Sequence, residues 1–172
     1  MKTVATWILA AALWTPFLSL GYATLGHSDD APPCMSGGSA IGINNNQVIQ
    51  WESSTPNQFL ARGHVSGPVV QVYPDQNGHH HFAIQIGSDS RLEVIYNEDF
   101  GSVPQMSEGM NVEACGDYIT STAQSAQYPA SPDGAIIHWV HQSPNLAKHA
   151  SGFLMVDGVL YGQDAENAGP QQ

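Results

Sequence analysis

Residues 136–149 read IIHWVHQSPNLAKH, fourteen positions that hold three of the chain's eight histidines and one of its four tryptophans. Neutral imidazole is a good ligand for Zn or Cu(II), and three or four histidines can fill a four-coordinate ion. His138, His141 and His149 from this stretch, joined by His79 from the tract His79-His80-His81, form a candidate metal set. Their spacing imposes a condition. Side chains alternate between the two faces of a strand, so His138 and His141 share a ligand only if the strand bulges or ends near Val140. Gln142-Ser143-Pro144 supplies an ending. The competing reading is that His138 and His141 brace the fold through backbone or Asp117, with Trp139 facing the core and the histidines at the rim. Alternation also sets His79 beside His81 on the face of Ala83 and Gln85, and His80 with Phe82, Ile84 and Ile86. His80 and His81 read as an incidental surface tract.

Four carboxylates, Glu93, Asp99, Asp117 and Asp133, could serve a histidine in acid–base chemistry, which needs a proton donor or acceptor within hydrogen-bond reach. Asp117 is the first candidate, and it and Asn97 are also the polar groups that could hold ligand rings in place. The chain has no Gly-x-Ser-x-Gly elbow, no phosphate loop and no cysteine with a catalytic histidine, so covalent hydrolysis is not indicated. Trp51, Phe82, Tyr96, Tyr118, Trp139, Phe153 and Tyr161 read as core.

These residues must be placed by a chain of 172 positions, enough for one domain. Residues 1–23 read as a cleaved signal peptide: Lys2, an apolar run, then Gly21-Tyr22-Ala23. An uncleaved anchor is the other reading; either way the domain is exported, to the periplasm or the medium. Loss of Lys2 leaves Arg62, Arg91 and Lys148 against fifteen acidic residues, a formal charge of −12. Such a surface repels nucleic acid and anionic membranes. Cys34 and Cys115 are expected to pair in an oxidising compartment, with two free thiols as the alternative.

Residues 24–56 have the composition of an arm or linker, with a short helix at 46–51 capped by one of Asn44, Asn45 and Asn46. From Phe59 the pattern turns to period two, and strands are expected at 68–73, 80–86, 92–96, 110–119 and 135–141. The pattern suggests an all-β sandwich or barrel over 57–162, and five strands is the count a small barrel needs. A hairpin follows, 153–156 with 159–161, turning at Asp157-Gly158. The insert 121–133 reads as a mobile surface loop and 163–172 as a frayed tail.

His79-x-x-Phe82, Tyr96-Asn97-x-Asp99, Gly116-Asp117-Tyr118, His138-Trp139-x-His141, Pro144, His149, Gly152-Phe153 and Gly158-x-x-Tyr161 together resemble the bacterial domain-of-unknown-function family 3465, small exported proteins. The resemblance runs roughly from Gly67 to Gly162. It implies an all-β, OB-like five-stranded barrel and no mechanism. The chain departs from the family pattern at Tyr96, where a histidine is usual, and at Gln142 and Ser143, where a second histidine and an aspartate are usual. The insert and the Cys34 arm are also additions. The expected function is a non-enzymatic module binding a metal ion, Zn or Cu, or another small ligand near His79, His138, His141 and His149. The alternatives are a metal-dependent hydrolase using Asp117 or Glu93, and a structural or protein-interaction domain with bracing histidines.

Overall fold

The computed structural model describes residues 31–164; the expected signal peptide and most of the tail lie outside them. A two-stranded ribbon, β1 (Met35–Ser36) and β2 (Ser39–Ala40), precedes helix α1 (Asn45–Ser54). The main sheet is built from β3 (Leu60–Val72), β4 (His79–Gln85), β5 (Arg91–Asn97), β6 (Asn111–Thr120), β7 (Ala135–His138), β8 (Phe153–Val156) and β9 (Val159–Tyr161), with a 3-10 turn at Glu98–Phe100 after β5. The strand order is β3-β4-β5-β7-β6, and β6 pairs back onto β3. That closes a five-stranded barrel of the expected OB-like kind. All pairs are antiparallel except β5 with β7.

Closure depends on the long strand β3. Residues 60–68 pair with β6, residues 69–72 pair with β4, and the register shifts between Val69 and Gln71. Gly67 and Pro68 sit at this handover. A Cβ on Gly67 would collide with the Gln85 carbonyl, and proline lacks the donor that a continuous ladder would require. The first half of β3 goes beyond the expected 68–73 because Arg62, Gly63, His64 and Gly67 blur its alternation.

The barrel interior is filled by Val65, Phe82, Ile84, Leu92, Val94, Tyr96, Tyr118 and Ile137, all at most 1 % exposed. Leu154 and Val156 join it, because β8 takes over the edge of β6 at residues 112–115 while β7 covers 117–120. Helix α1 closes one end: Val48 is fully buried, and Trp51 packs 5.4 Å from Tyr118 and 5.8 Å from Phe59. The asparagines at its start do other work than capping. Asn44 makes no side-chain cap bond and instead accepts from His64 N (2.8 Å), while Asn45 bonds both N and O of Ser66.

Within the described residues the arm is pinned at the bridged Cys34, while Met35 and Ile43 stay exposed. Cys34 is disulfide-bonded to Cys115, as expected, and the bridge is buried with Phe153 and Met155 on the outside of β6. Ile41 N donates to Cys34 O, and His64 Nδ1 lies 3.0 Å from Ile41 O. The insert is likewise tied down. Ser121 Oγ donates to Pro129 O (2.6 Å), Ser131 N to Ser121 O (2.9 Å), and Asn57 Nδ2 to Ala123 O (3.0 Å). Among the described residues no helix is long and apolar enough to cross a membrane.

Candidate functional site

Strand β7 stops at His138, three residues short of the expected end, because Trp139 takes φ +51°, a left-handed conformation rare for a bulky residue. The break needed to bring His138 and His141 together therefore exists, one residue earlier than Val140. Three glycines let the departing chain lie close. A Cβ on Gly116 would collide with His138 O, one on Gly152 with Trp139 O and Cys115 O, and one on Gly162 would come within 3.1 Å of Val140 O, His141 Cα and His141 Cβ. Arg62 fastens the return loop: it donates to Asp117 Oδ1 (2.8 Å), to Cys115 Sγ (3.1 Å) and to the Ser151 carbonyl.

Trp139 does not enter the barrel interior, as a core reading had it. It packs on the outer face against Tyr128 from the insert and the cluster Ile95, Ile119 and Ile136. Its indole lies 4.8 Å from the His138 ring and stacks on His149 at 5.2 Å and 10°. The four candidate histidines are thus divided by an indole into two pairs. His141 and His149 stand 5.1 Å apart, nearly perpendicular, and His79 and His138 stand 6.1 Å apart. Among the described residues no three His, Cys, Asp or Glu side chains stand close enough together to hold a metal ion.

Hydrogen bonding sorts the histidines further. A carbonyl can only accept, so an imidazole nitrogen bonded to one must carry the proton. Nδ1 donates to Asn77 O in His79 (3.0 Å), to Gln142 O in His141 (2.9 Å) and to Ala150 O in His149 (3.0 Å). In the neutral ring each Nε2 is then left as a lone pair. His64 and His80 differ, with both nitrogens engaged: His64 by Ile41 O and Glu113, His80 by Asp75 and Glu98. Burial pushes the His138 imidazole down to about 3, reinforced by His79, His141, His149 and His81, and its Nδ1 is sealed from solvent without a partner. Burial also pushes His141 down to about 4, against the opposing bond to Gln142 O and with His149 and His79 adding to the depression. Phe100 stacks on His141 at 3.4 Å, and His141 is only 2 % exposed, deeper than a rim position.

The carboxylates fall elsewhere. Asp117 lies beside His138 in the β6–β7 register, but its carboxylate is taken by Arg62. Asn97 Oδ1 accepts from Asp99 N, and Asp133 binds Tyr73 and Arg91. Glu93 alone of the four reaches a histidine: His81 Nδ1 is 2.7 Å from its Oε1, and both side chains are nearly buried. Neither His80 nor His81 is therefore a loose surface residue. Sequence reasoning missed the Glu93–His81 pair, the position of Trp139 and the contact of Tyr128. Only for the first was a signal present: alternation sets His81 outward, and the β4–β5 hairpin places Glu93 beside it.

The fold and these side chains define a small OB-like β-barrel protein with a histidine-rich outer face. The chain belongs to the family described as Protein of unknown function (DUF3465), whose model matches residues 45–162. No curated protein matches it.

Proposed function

We propose that the protein is an exported, non-enzymatic binding module that takes up a transition-metal ion, Zn or Cu(II), at His141 and His149. The observation that carries this is the shared arrangement of the two rings. Each has its Nδ1 proton committed to a backbone carbonyl and its Nε2 free, the pattern in which metal-ligating histidines are held. Two imidazoles on one tetrahedral ion, each with Zn–N of about 2.0–2.1 Å, have ring centres roughly 5 Å apart; these stand at 5.1 Å. Phe100 and Trp139 stack on them and hold them there. Water or a small ligand completes the coordination. The disulfide supports an oxidising compartment. Binding is favoured over hydrolysis because Asp117 is committed to Arg62 and Glu93 to His81, leaving neither for this pair.

Calorimetric titration of the purified protein with Zn and Cu(II) tests the reading. Saturable binding that is lost in His141→Ala and His149→Ala supports it. Wild-type protein with no stoichiometric uptake, and variants that only lose thermal stability whether or not metal is added, would show that the histidines merely brace the fold.

A further inference from the structure

We infer that the hollow at the barrel mouth beneath the β3–β4 turn binds a small organic cation, an ammonium group on a short apolar body, with Asp75 and the ring of His80 at its charged end. The inference is independent of the metal-binding reading above and concerns other residues.

The hollow follows from a mismatch in the hairpin. Asn77 and Gly78 take φ +51° and +74°, the positive values of a tight two-residue turn, and Gln76 pairs with His79 across it. The next bond closes from Tyr73 N to His81 O (2.9 Å). Pro74 and Asp75 therefore stand opposite the single residue His80, a bulge that bends the strand away. Parity turns His80 to the inner side of β4, the side of Phe82 and Ile84. Helix α1 shuts the far end of the barrel, where Ile49 packs on Gly87 just past β4. The end at His80 instead keeps a cavity of about 570 Å³, within the range of small-molecule sites.

Its lining is divided by chemistry. Val72, Pro74, Val103 and Met106 make the apolar part, and Met106 belongs to the main core. Asp75 and His80 make the polar part. Nδ1 of His80 lies 3.0 Å from Asp75 Oδ1, and its Nε2 lies 2.7 Å from Glu98 Oε1. With both nitrogens turned to carboxylates, the ring has no N–H left to offer an anion. One ring against two carboxylates also leaves net negative charge, whichever protonation state the ring takes. Among the described residues no lysine or arginine lines the cavity. The charge of the lining thus repels an anion, and a neutral apolar ligand would gain nothing from it. A cation on an apolar body uses both parts. Its ammonium, a donor of three hydrogen bonds, meets Asp75, whose side chain is 60 % exposed and open to approach. Its carbon chain covers Val103 and Met106, and Glu98 holds the His80 ring in place.

Calorimetry on the full protein without added metal, using n-hexylamine, hexanol and hexanoate at neutral pH, tests this. The amine should bind saturably at one equivalent, about tenfold tighter than hexanol, and hexanoate should not bind. Asp75→Asn, in an exposed turn, should weaken the amine about tenfold and leave hexanol unchanged. Val103→Trp, which fills the cavity from a half-buried position, should abolish both. His141→Ala/His149→Ala should keep full amine binding, so that this site and the metal pair stand or fall separately. Hexanol bound as tightly as the amine would reduce the site to an apolar hollow and overturn the inference. Amine uptake that never saturates, or that is indifferent to both Asp75→Asn and Val103→Trp, would mark loose adsorption on an acidic surface and overturn it as well. Amine binding lost in His141→Ala/His149→Ala, or no amine binding at all, also overturns it and leaves the metal titration to decide the proposed function.

Discussion

His138 and His141 are held uncharged by burial, at about 3 and about 4 against an ordinary value of 6.5. Acid should therefore act on the fold through them. Above pH 6.5 both rings are neutral in the folded and unfolded chains, and neither contributes. As the pH falls below 6.5 the unfolded chain takes up protons that the folded chain refuses, so stability drops. Each ring costs up to about 1.4 kcal/mol per pH unit until its folded value is reached. Urea midpoints should fall steadily from pH 6.5 to pH 4, and a midpoint constant over that range would contradict the assignment. At this scale the sequence was partly legible. Parity alone showed that two histidines three positions apart need a broken strand. It could not show that the break falls at Trp139, since a left-handed tryptophan is set by its surroundings rather than by its own preference. Nor could it show that the indole would divide the histidines.

At the scale of elements, the site is positioned by what is missing from three glycines. Gly116 and Gly152 let the backbone of 138–141 touch β6 and the start of β8, and any side chain there would force it away. Gly152→Ala should cost about 2–4 kcal/mol, or prevent folding, by overpacking against Trp139 O and Cys115 O. A Gly152→Ala variant as stable as wild type by thermal melt would show that the segment can shift. Four barrel strands and the hairpin were legible because their apolar residues alternate between turn residues. The first half of β3 was not, because its outer residues Arg62 and His64 are buried by the arm and by β6 rather than facing water. The insert at 121–133 is a surface loop, as expected, but its hydrogen bonds were not legible for a related reason. Its anchors are serine and asparagine side chains bonded to backbone, and composition does not distinguish those from solvated ones.

For the whole molecule, strand count and spacing left a sandwich or a barrel, and the family resemblance pointed to the barrel; the closing pair β3–β6 joins residues too far apart in sequence for any local pattern to reveal. The disulfide spans 81 positions and ties the arm to the middle of β6. In the chain-entropy account its loss should cost about 3–5 kcal/mol. Cys34→Ser/Cys115→Ser should accordingly unfold at markedly lower urea, and a loss below about 1 kcal/mol would mean that the arm's other bonds already confine it. The bridge also decides how the molecule carries force. Tension applied to the N-terminal end does not run through α1 and the first three barrel strands. It crosses from Cys34 directly into Cys115, on a strand bordered by three others. The chain between the two cysteines, a separation of 81 positions and about 280 Å when fully extended, stays outside the load path however hard the ends are drawn apart.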